Sequence, residues 1–201
     1  RWRQWHTCSL CEQDYHGVVR CALGWACWKT YVGRPETDTA RALALNQLGN
    51  GLHLARHYEE SLSVREAELS MRRRLGASES QILDTLGSLA LTYYGLERLE
   101  DALRIERAVY SERVKLHGEE SEHAFIAANN CARSLVGLQR FEEAKSLMRK
   151  RIPVAQRVVG ERHDTLLRMR CIYAQALYND PDATLADLRE AVETLEDADR
   201  I

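Results

Sequence analysis

The chain repeats itself at a helical period. Residues 15–33, 58–76, 99–118 and 141–160 share one pattern: Tyr15, Tyr58, Leu99 or Phe141 opens an apolar helix, and Gly33, Gly76, Gly118 or Gly160 closes it. The opening residues lie 43, 41 and 42 positions apart. Self-similarity at about 40 residues with helical patterning means a stacked array of helix pairs, since one pair cannot bury its apolar face alone. Such arrays offer an extended face to other proteins and seldom carry out chemistry.

The second unit shows the pattern most cleanly. Residues 37–54 place Ala40, Leu43, Ala44, Leu48, Leu52 and Leu54 at helical spacing. After a turn at Ala55-Arg56-His57, a second helix opens at Tyr58, with Val64, Ala67, Leu69 and Met71 on one face. Arg72, Arg73 and Arg74 load its last turn, where cations meet the negative helix end. Gly76 then supplies a left-handed residue to end it.

The third unit starts with Ser78-x-x-Gln81, a capping-box pattern. Its inner stripe is Leu83, Leu86, Leu89, Ala90 and Tyr93, followed by a helix from Leu99 with Ala102, Leu103, Ile105, Ala108 and Val109. The fourth unit has Phe125, Ala128, Cys131, Ala132 and Leu135, then a helix from Phe141 containing Pro153, where a bend or a short break is expected. A fifth pair follows, with Leu166, Met169, Ile172, Tyr173, Ala174 and Leu177, then Leu185, Leu188, Ala191, Val192 and Leu195. In the first unit a helix over roughly residues 2–12 would put His6 where the others have Gly49, Ala90, Ala132 and Ala174. That helix must pack differently or form an edge.

A small residue in the first helix, an aromatic after the turn and an Ala three positions later resemble the tetratricopeptide repeat (TPR). Residues 93–102 and 138–144 carry the likeness best. The usual repeat is about 34 residues; this one is 41 to 43, with a longer second helix, and is similar to the kinesin light chain type. The resemblance implies an all-α, right-handed α-solenoid of about five antiparallel helix pairs, a TPR-like superhelix. Residues 1–33 would form a divergent Cys- and Trp-rich pair, followed by repeats 34–76, 77–118, 119–160 and 161–201.

The resemblance also implies that the first helices line a concave groove. Counting from the small residues gives Asn46, Asn50 and His53; Gly87, Leu91 and Tyr94; Asn129, Arg133 and Val136; and Cys171, Gln175 and Tyr178. Asn46 and Asn129 stand out, because an amide offers both a donor and an acceptor to an extended peptide. Family members use Asn there in that way. Arg133 could hold a carboxylate bidentately. The expected groove set is therefore Asn46, Asn50, His53, Leu91, Tyr94, Asn129, Arg133, Gln175 and Tyr178, with solvation of an exposed helix face as the plainer alternative.

Composition narrows the function classes. Twenty-eight basic and thirty acidic residues leave a net charge of −2, without the basic bias that nucleic acid or an anionic membrane would call for. No apolar run approaches the roughly 18 residues of a membrane span. No Gly-rich phosphate loop, nucleophile elbow or paired metal-ligand helix motif is present, so no catalytic residue and no cofactor is expected. Six cysteines, four of them within the first 27 residues, do not form the even framework of a secreted disulfide scaffold, and point to a reducing, cytoplasmic setting. The chain begins at Arg1 and ends at Ile201 without a polar cap, which reads as a fragment and leaves an upstream targeting segment open.

Two other readings stay open. Cys8, Cys11, His16 and Cys21 form one constellation that could carry zinc, making residues 6–27 a metal-bearing interaction module. Against it, a second Cys-x-x-Cys pair is missing, and the cysteines read mainly as small buried hydrophobes. Trp2, Trp5, Trp25 and Trp28 crowd the first unit; they pack an N-terminal cap or dock a partner, as in a structural subunit of a larger assembly. The expected function is a non-catalytic scaffold for a protein or peptide partner, with oligomeric state open.

Overall fold

The computed structural model describes residues 3–199, with side chains through residue 196; Trp2 and Ile201 lie outside the described residues. The described residues are helical throughout except for turns and one isolated bridge. They fall into two compact units, Arg1–Arg98 and Leu99–Ile201.

The first unit contains α1 (Gly17–Tyr31), α2 (Thr39–Leu54), α3 (Tyr58–Arg74) and α4 (Glu79–Gly95). Each helix packs on the next in sequence. Asp38 caps α2 through the Ala40 amide at 2.8 Å, and Ser78 with Gln81 forms the expected capping box on α4. The seam between α1 and α2 is tight because a glycine faces it. A Cβ on Gly51 would lie 2.7 Å from the Arg20 carbonyl oxygen, closer than packed atoms approach.

Among the described residues, the expected helix over residues 2–12 does not form. A 3-10 turn at Arg3–Trp5 leads into a hairpin closed by the Thr7–Asp14 bridge. The Thr7 hydroxyl donates to Asp14 at 2.8 Å, and the Cys8 amide donates to the Gln13 carbonyl at 2.8 Å. Short polar side chains that bond locally compete with a helix, and here they win. The first unit thus lacks the first helix of a pair.

The second unit contains α5 (Leu99–His117), α6 (Glu122–Gly137), α7 (Phe141–Val159), α8 (Asp164–Tyr178) and α9 (Leu185–Asp199). Phe125, Ala128 and Ala132 of α6, Met148 and Ala155 of α7, and Leu166, Met169, Tyr173, Ala174 and Leu177 of α8 close one core. The α7 helix runs through Pro153 without a break, and that proline is exposed. Of the apolar α9 residues read in the fifth pair, Ala191 is buried, whereas Leu185, Leu188, Val192 and Leu195 are exposed. No helix among the described residues is long and apolar enough to cross a membrane.

The turns repeat as faithfully as the helices. The α2, α4 and α6 helices end with Arg56, Glu97 and Gln139 at φ 64°, 60° and 58°. In each case the next amide reaches five residues back: His57 to Leu52, Arg98 to Tyr93 and Arg140 to Leu135. This is the Schellman ending with a non-glycine residue in the left-handed position. Gly76 ends α3 in the same way, as expected, whereas Gly33 has no left-handed backbone.

Candidate functional site

In the first unit, Asn46, Asn50 and His53 lie one turn apart along α2, so they share a face. The Asn50 amide donates to Asn46 Oδ1 at 3.1 Å, and Asn46 Nδ2 faces Glu68 Oε1 at 3.5 Å. Asn50 Oδ1 accepts a hydrogen bond from Arg65. Arg65 also pairs with Glu68 at 2.9 Å, and Arg72 Nε donates to Glu68 at 3.0 Å. Arg65 and Glu68 are fully buried. Burial pulls the Arg65 guanidinium below its usual range, opposed by the Glu68 charge.

The small residue at Gly49 has a specific reason. A Cβ there would sit 2.7 Å from the Arg65 guanidinium carbon. The two asparagines are therefore tied to a buried ion network, with one amide N–H and acceptor capacity remaining on Asn46.

Sequence reasoning missed this network because it followed the apolar face of α3 through Val64 and Ala67. The buried face is Ser61, Arg65, Glu68, Leu69 and Met71, while Ala67 is exposed. The available signal was the i, i+3, i+7 spacing of Arg65, Glu68 and Arg72 opposite a glycine.

A cavity of about 480 Å³ brings part of the expected set together. Asn50, His53 and Leu54 of α2 and Leu91 of α4 form one side; His6, Asp14, Tyr15, His16 and Arg20 form the other. Arg20 holds the N-terminal segment there, donating to the Trp5 carbonyl and to Gln47 Oε1 at 2.6 Å. Asn46 and Tyr94 are not among its lining residues. The His53 ring meets Tyr58 edge-on, with centroids 5.2 Å apart.

In the second unit, Asn129 and Arg133 lie four apart on α6. Arg133 faces Glu106 of α5 at 3.5 Å. Glu106 is buried, and that burial pushes its carboxyl up to about 7. Asn129 is half-buried, and its Oδ1 is buried without a hydrogen-bond partner. Gln175 is half-buried on α8, and Tyr178 is half-exposed on the last turn of that helix. Lys145, also missed in the sequence, is buried between Asp180 at 2.7 Å and Glu142 at 2.5 Å, tying the loop after α8 to α7.

The cysteines depart from expectation. Cys27 and Cys131 are buried, but Cys11 and Cys171 are exposed and Cys8 and Cys21 are half-buried. Burial raises the Cys131 thiol to about 12 and the Cys27 thiol to about 11. Cys8 is lowered to about 7, chiefly by hydrogen bonds from the Cys11 and Leu10 amides. Among the described residues no three His, Cys, Asp or Glu side chains gather to hold a metal ion, so Cys8, Cys11, His16 and Cys21 do not converge. Trp28 is half-buried under the Arg41 guanidinium at 5.9 Å, whereas Trp25 is 43% exposed.

The family model for the tetratricopeptide repeat matches residues 82–124 and 126–164. Over those residues the chain carries tetratricopeptide repeats. Its repeats fold like those of kinesin light chain proteins, and the fold is an all-α solenoid. A Podospora anserina protein with kinesin light chain nearly identical TPR-like repeats is 15% identical over 90% of this chain and 84% of its own, with a TM-score of 0.68. BtubC (BKLC) from P. vanneervenii is 17% identical over 89% of this chain and 70% of its own, with a TM-score of 0.71. No curated protein matches the sequence. TPR repeats generally mediate protein–protein interaction and are typically non-catalytic scaffolds.

Proposed function

We propose that this chain is a non-catalytic scaffold that binds an extended peptide or a partner helix along the first helices of its repeats. The observation that carries this reading is the cavity lined by Asn50, His53 and Leu91, where two such helices offer an amide, an imidazole and an apolar surface together. A site of this kind recognises a backbone through the polar groups and a side chain through the apolar one. Asn46 orients Asn50 from the turn before. In the second unit Asn129, Arg133, Gln175 and Tyr178 supply the corresponding face of α6 and α8.

The test is peptide selection on the whole chain from a displayed random library, followed by affinity measurement of a selected peptide. The double variant His53→Ala/Leu91→Glu should lose at least tenfold in affinity, with an unchanged helical circular-dichroism spectrum. Equal binding by the variant, or no enrichment of any peptide, would remove this assignment.

Exposed apolar edges favour a second reading, a structural subunit of a larger assembly. Val18, Val19 and Trp25 on α1, and Leu185, Leu188, Val192 and Leu195 on α9, are all at least 40% exposed. Light scattering of the purified chain separates the readings: a monomer at micromolar concentration argues against self-assembly through these edges.

A further inference from the structure

The tip of the hairpin before α1, residues 8–13, lies outside the cavity of the peptide-binding reading and carries two thiols. Cys8 and Cys11 stand at the ends of a single tight turn, in which the Glu12 amide donates to the Cys8 carbonyl at 2.9 Å. One such turn brings residues three apart to a Cα separation of about 5 Å, inside the span a disulfide bridges. Glu12, with φ 57°, closes the turn in a left-handed conformation. The Cys11 and Leu10 amides, the Cys11 thiol and the Tyr15 hydroxyl act on the Cys8 thiol and lower it. Leu10, at the tip, is 94% exposed, so solutes reach the turn freely.

Hydrogen bonds aimed at one sulfur stabilise its thiolate, which is the nucleophile in thiol chemistry. Zinc requires four ligands, and the described residues supply no third one beside the pair. The remaining chemistry for two adjacent, accessible thiols is exchange.

We propose that Cys8 and Cys11 form a thiol–disulfide exchange site, which a small-molecule disulfide such as oxidised glutathione converts to an intrachain disulfide. The Cys8 thiolate attacks one sulfur of the glutathione disulfide. That bond breaks, and one glutathione leaves as a thiolate and takes up the proton Cys8 released. Cys11 loses its proton to solvent and attacks Cys8 Sγ; the mixed disulfide breaks, and the second glutathione leaves and is protonated. Two protein thiols are oxidised, and one glutathione disulfide is reduced to two thiols.

The experiment uses the full chain with oxidised glutathione at neutral pH, quenched in acid and digested with trypsin. Cleavage after Arg3 and Arg20 places Cys8 and Cys11 in one peptide that holds no other cysteine. That peptide should lose two hydrogen atoms in mass and resist alkylation, while exposed Cys171 carries at most a glutathione adduct. In Cys11→Ser the mixed disulfide should persist on Cys8. The wild-type reaction should slow several-fold in unfolding urea, where the hydrogen bonds to Cys8 are gone.

An unchanged peptide beside a glutathionylated Cys171 would overturn the proposal, as would a bond from Cys8 or Cys11 to Cys21 or Cys27, or an equal rate in urea. Retention of added Zn²⁺ through gel filtration, with both thiols protected, would also overturn it and make the hairpin a metal half-site.

Discussion

Seven residues after the residue that opens the second helix of a pair, α3 in the first unit carries Arg65 and α7 in the second carries Met148. Both side chains are fully buried. Arg65 lies against Gly49 and is held by Asn50 and Glu68, whereas Met148 packs in one apolar core with Ala132, which stands where Gly49 stands in the first unit. The α5 helix places Glu106 at the same repeat position. One repeat geometry thus accepts a cation, an acid or a thioether at one buried place, provided the facing residue leaves the right room. Shape is a property of the repeat here, and polarity is a property of the local partners.

Removing one partner of the ion network should show the largest effect. Glu68→Ala leaves Arg65 buried without its counter-charge and should destabilise the first unit by about 3–5 kcal/mol, measured by urea unfolding. Replacing the set with the filling of the second unit, Gly49→Ala/Arg65→Met/Glu68→Leu, should recover most of that loss. If the triple variant is as unstable as Glu68→Ala, the two fillings are not interchangeable and the comparison fails.

Glu106 sharpens the contrast through pH. Its folded value, about 7, lies above the ordinary 4.5, so the folded chain holds a proton that the unfolded chain has already released. The stability from this group is complete below about pH 4.5 and is lost as pH rises through about 7. Melting temperature should therefore fall across that window, and Glu106→Gln should flatten the fall. An unchanged profile in the variant would show that Glu106 titrates normally.

Gly49→Ala alone should cost about 1 kcal/mol, because the clash with a pinned guanidinium outweighs the gain in helix propensity. In an Arg65→Met background the same change should reverse sign and gain about 1 kcal/mol. The same sign in both backgrounds would mean that Gly49 is not there for Arg65. Smallest of all, Arg56→Gly and Gln139→Gly should each stabilise by about 0.5–1 kcal/mol, by relieving a left-handed non-glycine residue.

Much of the fold was legible in advance, because an apolar stripe and a small residue at a fixed offset are written directly in residue type. The first helices were read correctly at Phe125, Ala128, Cys131, Ala132 and Leu135, all of them buried. Three features were not legible. The phase of α3 was misread because its buried face is charged, and charge ordinarily marks the solvent side. The apolar period of α9 did not tell which of its residues are covered, because periodicity shows only that a face is apolar and not that anything covers it. The hairpin over residues 7–14 depends on side chain to side chain and cross-turn backbone bonds that no period encodes. Of the expected site residues, Asn50, His53 and Leu91 are drawn into one cavity, while the hold of Arg65 on Asn50 depends on that unexpected face of α3.

The left-handed turns at Arg56 and Gln139, each inside one unit, have a consequence for how such a chain can change. Each is closed by backbone bonds to the helix just finished, so the direction in which the next helix departs is set locally, whichever side chain occupies the corner. A hairpin built this way is a self-contained module. A chain of such modules can gain or lose whole hairpins, and each remaining one keeps its own internal angle.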